Sequence, residues 1–456
     1  QPFTSGFPRA DIYKLIAPDI LHQIIKGMFK DHLVEWVESC LKVMHGTAKA
    51  NAILDDIDRR IAAVAPFTGL RRFPEGRHFK QWTGNDSKAL MKVYLPAIEG
   101  HVPAEIVRTF RTLLEFTYLI RHNVITEEIL VAIEDAINRF HKHREIFHQS
   151  GTIQTFSLPR QHAMKHYPDL IRLFGAPNGL CTSITESKHI DAVKDPYRRT
   201  NRNKPLGQML IINQRLDELA ASRRDFSRRG MLEGSCLTAT MQLLSTRELS
   251  LQHLPTILEE FLLQQLDAYD NCDSDLPEWP TYGNKITVVN AAAVLFYAPS
   301  DVSGIGGMQR EYLYIRSCHS WQNGAPRYDC TFVNTDLGLK GMYGLDIVRI
   351  LAFFSFISQS KRYPCAVVRW FDRVGDKPDT DTGMWVVHPA FTAQRRPSVG
   401  VIHVDTLYRA AHLIPLYATR PVSRNLKPHH SYDSFTAFYI NTFIDHHAFS
   451  LLSDSY

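Results

Sequence analysis

The sequence predicts an α+β chain in which a helical first part gives way to a β-rich last part. Three observations carry that prediction. Apolar residues recur at helical spacing through residues 19 to 175, whereas beyond about 284 the chain breaks into short β-branched and aromatic runs. Between the two, "DNCDSDLPEWPTYGN" shifts the composition to Asp, Pro and Asn, which marks a linker at 271–283. With 456 residues, 44% of them hydrophobic, the chain has the length for roughly two or three domains of about 150 residues and the apolar content to bury their cores.

Taken in order, the first element is the clearest. From Asp19 to Leu41, apolar pairs recur every four positions (Ile20/Leu21, Ile24/Ile25, Met28/Phe29, Trp36/Val37, Cys40/Leu41), and Pro18 stands at or just before the first turn. An amphipathic helix follows. "EIVRTFRTLLEFTYLI" and "TEEILVAIEDAINRFHKHREIF" give further helices, the second with Glu127 and Glu128 suited to its N-terminus and the His141 to Arg144 cluster to its C-terminus. After the turn "GAPNGL" a helix-like run begins at Glu186 and is expected to stop at Pro196, and another spans about Leu206 to Ser227. Beyond the linker, "KITVVNAAAVLFYAP", "EYLYIRS", "CAVVRWF", "GMWVVHP" and "VGVIHVD" read as strands of a compact small barrel over 284–456, with one helix near "LDIVRILAFFSF". No fixed-period repeat and no low-complexity tract interrupts this order.

Net charge is only +5, so a surface for a polyanion has to come from local clusters. Seven scattered cysteines without a C-x-x-C pair fit neither a disulfide framework nor a zinc ribbon, and point to a reducing, intracellular setting. No charged-then-apolar leader opens the sequence, and no run approaches the roughly 18 apolar residues of a membrane span.

Asp19 and His22, three apart at a helix start, share a face where a carboxylate and an imidazole orient a metal-bound water or a phosphate. The plainer alternative is a dipole-complementing Asp and a His at the edge of the core. His162 and His166 have the four-residue spacing of zinc ligands, but with no third ligand they read as surface histidines. The glycines of "VSGIGGMQREY" lack the Lys-Ser/Thr of a phosphate loop, and "DKPDTDTGMW" reads as a turn between strands. The His429/His430 and His446/His447 doublets are uninformative. Residues 198 to 229 differ: Arg198, Arg199, Arg202, Lys204, Arg215, Arg223, Arg224, Arg228 and Arg229 face only Asp217, Glu218 and Asp225 as acids, a density that an anion such as a nucleic-acid backbone would offset. A solvated helix face is the alternative there.

"APDILHQIIKGMFKDHLVEW", "TESKHIDAVKDPYRRTNRNKPLGQMLIINQRLDELAASRRDF" and "CAVVRWFDRVGDKPDTDTGMWVV" together resemble the Plavaka transposases of mushroom-forming fungi, relatives of the CACTA group of cut-and-paste elements. The likeness runs over essentially the whole chain. It implies a ribonuclease-H-like core, similar to that of retroviral integrases, in which three carboxylates hold two magnesium or manganese ions for phosphodiester displacement. Glu186 matches the third carboxylate, a metal ligand, with a large α-helical insertion at about 23–160 before it. Asp19 and His22 match an Asp-x-x-His element. Asp86, in "GNDSKALMKVYLPAIEG", matches a weaker CACTA phrase with a supporting or structural role.

In the family the first two metal-binding aspartates precede the Asp-x-x-His element, and Asp11 is the sole carboxylate before Asp19 here. The sequence therefore reads as the C-terminal portion of a transposase: residues 1–270 as a partial core with its insertion, 284–456 as an accessory domain, and no strand cleavage unaided. DNA is the implied partner, a further copy in a transposition complex another, and the nucleus the implied location. The rival from another class is a non-catalytic DNA- or chromatin-binding protein using 198–229 and the β-rich part. A plain scaffold is the third.

Overall fold

The structure, a computed structural model, describes residues 6, 19–79, 82–122, 124–177, 181–182, 189–228, 239–240, 257–258, 261–262, 286–299, 308–358 and 361–453. It is α+β, helical first and antiparallel β afterwards. The linker expected at 271–283 lies outside the described residues.

Among the described residues the first long helix begins with α1 (Ile20–Val34), wound as a π-helix, and runs directly into α2 (Glu35–His45), which is α-helical. The four-residue recurrence of apolar pairs accounts for both windings. It is longer than the 3.6-residue turn of an α-helix and shorter than the wider turn of i→i+5 bonding, so the stripe drifts one way along α1 and back along α2. Gly46, at φ 75°, ends α2. Helices α3 (Thr47–Ala63), α4 (Gly84–Ile98), α5 (Ala104–Leu119), α6 (Glu127–His143), α7 (Glu145–Gln149), α8 (Pro159–His162) and α9 (Tyr167–Phe174) pack around it. Phe29 of α1 lies at the centre, edge-on to Tyr94 of α4 and Phe110 of α5 at 5.7 and 6.1 Å between ring centroids.

Two short segments, α10 (Ile190–Lys194) and α11 (Asp195–Arg199), precede the long α12 (Pro205–Arg228). Pro196 does not stop its helix, contrary to expectation, but is the second residue of α11. The winding changes at Lys194, so Pro196 falls in a fresh first turn, where its missing N–H removes no helical hydrogen bond.

Thirteen strands are described: β1 (Ala239–Thr240), β2 (Thr287–Val289), β3 (Ala291–Pro299), β4 (Met308–Cys318), β5 (Arg327–Tyr328), β6 (Cys330–Asn334), β7 (Leu345–Ser358), β8 (Lys361–Arg373), β9 (Val386–Pro389), β10 (Val399–His403), β11 (Leu407–Ala411), β12 (Leu413–Pro415) and β13 (Phe438–Ile440). The helix expected near "LDIVRILAFFSF" is instead the strand β7. Its residues are buried on both faces, Ile347 and Phe353 in one cluster and Ala352, Phe354 and Phe356 in another, so its apolar run has no alternation to betray a strand. A register shift between Ile350 and Ala352 bends β7, which pairs β6 along its first half and β2 along its second. The path β11-β6-β7-β8-β9-β13-β12 returns on itself, because β11 and β12 are separated in the chain by His412 alone. The sheet is thus nearly closed and barrel-like. "DKPDTDTGMW" is the turn between β8 and β9, where Asp379 accepts from the Thr382 amide at 2.7 Å.

Helical and β-rich parts share one core. Met384, Ile414, Tyr417, Tyr439, Phe443 and Phe449 belong to the cluster built on α1 to α6. Polar contacts cross the same junction. Arg60 of α3, fully buried, donates to Asp56 at 2.8 Å and to the carbonyls of Glu99 and Ala418 at 2.7 Å each. Asn441 donates to the Lys92 carbonyl at 3.0 Å.

Candidate functional site

The site begins at Asp19, the N-cap of α1. Its backbone is extended (φ −87°, ψ 119°), which lets the carboxylate turn back and accept from the His22 amide at 2.8 Å. The same oxygen, Oδ2, lies 2.5 Å from Nδ1 of His22. A residue far along the chain completes the group: Thr182 donates its amide to Oδ1 at 2.9 Å and its hydroxyl to Oδ2 at 2.8 Å. Burial alone would raise the Asp19 carboxyl, but the amides of Thr182 and His22 outweigh it and hold the group below its ordinary value. Beneath lies the buried Tyr167, whose phenol is pushed up by burial and then by the Asp19 charge.

This geometry divides the roles. Asp19 is committed to the helix cap, to Thr182 and to the His22 ring. The His22 ring is held through Nδ1 by this carboxylate, which fixes its orientation. The His22 side chain keeps 48% of its surface exposed.

Glu186, the residue matched to the metal-binding carboxylate, lies outside the described residues. It follows Thr182 by four residues. Among the described residues no group of three His, Cys, Asp or Glu side chains is placed to hold a metal. Asp19 is the single carboxylate of this group, so the described residues do not by themselves fit a divalent pair.

The basic segment is described in part. Arg198, Arg199, Arg202 and Lys204 are all exposed around the turn between α11 and α12. That turn is built by Gln208, whose amide donates to Asn201 Oδ1 and to the Asn203 carbonyl at 2.7 Å each. Arg202 and Lys204 take left-handed backbones, φ 65° and 46°. Arg198 donates to Asp195 at 2.9 Å. Arg223, Arg224 and Arg228 fall on the last turns of α12, and Arg229 lies outside the described residues.

His162 and His166 are exposed, with their Nε2 atoms 3.2 Å apart. Asp86 is structural. It closes a capping box with Thr83 at the start of α4 and pairs with Arg71. Glu99 caps the far end of α4; burial raises its carboxyl, Arg60 works against that, and Asp379 and Asp381 add to it. Sequence reasoning missed Thr182. Its signal was present in "CTSITE", a hydroxyl residue just ahead of the glutamate, but nothing local tied it to Asp19, 163 residues earlier.

Residues 1–37 match the model of the Plavaka transposase family, a stretch that contains Asp19 and His22. No curated protein matches the chain. No solved structure matches it either. Among the described residues no helix is long and apolar enough to cross a membrane.

Proposed function

We propose that the chain is transposase-derived and that, in its intact form, it cuts and joins DNA strands at a centre containing His22 and Glu186. One observation carries the reading. Thr182 clamps onto Asp19 across the helical insertion, which ties the stretch just before Glu186 to the Asp-x-x-His element. The family match over residues 1–37 supports the same origin. In this reading Asp19 is a positioning residue that holds the His22 ring and the Glu186 segment together, within a ribonuclease-H-like core.

Magnesium or manganese belongs to the reading only with Glu186 and further carboxylates, since one carboxylate does not hold a divalent pair against water. A chain extended at its N-terminus by two aspartate-bearing strands of the family should nick supercoiled DNA in the presence of manganese. Glu186→Gln should abolish nicking with the fold intact, because the amide keeps the shape and loses the charge. Equal nicking by the Gln and Glu forms would discard the assignment.

A second reading, a non-catalytic DNA- or chromatin-binding protein, draws on the exposure of Arg198, Arg199, Arg202 and Lys204. Changing these four to Ala should weaken DNA binding equally across sequences and flatten the salt slope by roughly one unit per lost phosphate contact. Unchanged affinity would show that these four residues do not contact DNA and would remove the second reading's supporting observation. Either function places the protein in the nucleus.

A further inference from the structure

His162 and His166 have the spacing of zinc ligands, and the fold supplies what spacing alone does not. Their Nε2 atoms meet at 3.2 Å, with ring centroids 5.0 Å apart and planes at 75°. The backbone beneath them is fixed. His162 ends α8, and His166 ends a 3₁₀ turn, Ala163–His166, that leads into α9. Gln161, Met164 and Tyr167 recur every three residues and are all buried, whereas His162 and His166 are exposed. Gln161 accepts from Arg144 beside α6, and Arg160 donates to Asp31 of α1 at 2.8 Å, so α8 is pinned on two sides.

Two neutral imidazoles this close hold one proton between them: one ring donates from Nε2 and the other accepts with its lone pair. Neither ring has another hydrogen-bond partner among the described residues. The donor ring is therefore free to carry its proton on Nδ1 instead, which turns both Nε2 lone pairs to the gap and releases no proton. The gap is the size of a metal ion's. Bonds of about 2.0–2.1 Å meeting at a tetrahedral angle set two nitrogens about 3.3 Å apart. A square-planar ion draws them to about 2.9 Å. The observed separation lies between the two.

The surroundings decide which ions fit. Burial, then Arg144, Lys165 and His162, hold His141 of the neighbouring α6 down to about 4, so the pair stands among positive charge. His141 itself is not placed as a third ligand. A hard, strongly hydrated ion that prefers oxygen, such as magnesium, gains nothing from two imidazoles there. A softer divalent ion is held by its two nitrogen bonds against the repulsion, with water in its remaining positions. We infer that His162 and His166 form a two-histidine chelate for a divalent transition metal of the zinc, nickel and copper class. Copper should bind tightest, because affinity at such donors rises through nickel to copper and falls at zinc. The inference rests on this pair and does not need the strand-transfer reading.

Calorimetric titration of the full 456-residue chain with copper or zinc chloride tests it, run in excess magnesium chloride so that carboxylate sites for hard ions are filled. Both metals should bind saturably, copper more tightly. His162→Gln and His166→Gln should each weaken binding by at least about tenfold, since loss of an outer-shell partner alone costs a ligand set about that much. The double variant should lose little more than either single one, because a chelate needs both rings. Electron paramagnetic resonance of the copper-loaded chain reads the ligands directly: splitting from two imidazole nitrogens in the parent should fall to one or none in the variants. Both side chains are exposed, so Tm in the chelator EDTA should be the same for parent and variants, which guards against a loss of fold. No binding in magnesium, or an affinity and copper spectrum unchanged in either single variant, would overturn the site and leave the contact as a hydrogen bond alone.

Discussion

At the scale of single residues, histidine burial sets a pH dependence whose sign is fixed. His412 lies wholly inside, and its partners define its tautomer: Nε2 donates to the Ala65 carbonyl at 3.2 Å, while Nδ1 accepts from Asn441 at 2.9 Å. Burial lowers its pKa from 6.5 to about 4, and nearby Lys92 pushes the same way. Between those values the unfolded chain binds the proton and the folded chain does not. Stability from this group is therefore complete above about 6.5 and is lost as pH falls toward 4. Asp56 follows at lower pH. Burial would raise it, but His101, the Val422 amide and Arg60 hold it near 2, so its contribution is complete above 3.8 and fades toward 2. Urea midpoints should fall between pH 7 and 5, and His412→Gln, which keeps a donor for Ala65, should reduce that fall. His141 and His447, also lowered to about 4, add to it, as do His32, His122, His143 and His429, each lowered by burial. An identical pH profile in the variant would show that His412 titrates equally in both states. None of this was legible in the sequence, where the His446/His447 doublet carried no signal and His412 stood in an unremarkable apolar run.

At the scale of elements, the periodic parts of the chain were legible and the irregular winding was not. The helix expected from Asp19 to Leu41 exists as α1 and α2, and that expected from about Leu206 to Ser227 exists as α12. β7 was misread because burial on both faces removes the alternation that separates a strand from a helix. The π winding of α1 left a trace in the four-residue repeat, and Gly27 shows what it requires. A Cβ there would stand 2.8 Å from the His22 carbonyl oxygen and 2.5 Å from Cδ of Arg160. Arg160 is long and can shift, whereas the His22 carbonyl is backbone one wide turn earlier in the helix. Helix propensity alone predicts that Gly27→Ala stabilises by about 1 kcal/mol. The close approach predicts the reverse, a loss of roughly 1–3 kcal/mol with displacement of the His22 backbone from Asp19. Chemical denaturation decides the sign, and the His22 ring signals in an NMR spectrum report the displacement. A stabilised variant with unmoved His22 signals would mean that α1 rewinds to an α-helix at no cost.

At the scale of the whole molecule, the order of helical and β-rich parts was readable from composition, but their union was not. The contacts that join them span hundreds of residues: Arg60 and Ala418 are 358 positions apart, Asp56 and Val422 366. No local periodicity encodes such a pairing. It depends on one guanidinium that finds Asp56 and the Glu99 and Ala418 carbonyls in the same buried space, with the Tyr417 ring 5.2 Å from it and the Tyr417 hydroxyl donating to the Arg60 carbonyl at 2.8 Å. Replacing it with Met takes a donor from Asp56 and from three carbonyls, those of Ala97, Glu99 and Ala418. Removing one member of a buried charged pair costs about 3–5 kcal/mol, tempered here because Arg59 and His101 also hold Asp56. The loss falls on the polar contacts of the junction and leaves the apolar clusters in place, so Arg60→Met should lower stability and loosen the coupling between the unfolding of the two parts. In the unaltered chain, far-UV circular dichroism, dominated by the helices, and fluorescence, which includes the fully buried Trp385 of the β-rich part, should change together. In the variant the fluorescence and helical transitions should part, with distinct urea midpoints. Coincident transitions at the original midpoint would show that the shared apolar cluster of Met384, Ile414 and Phe443 couples the two parts without Arg60.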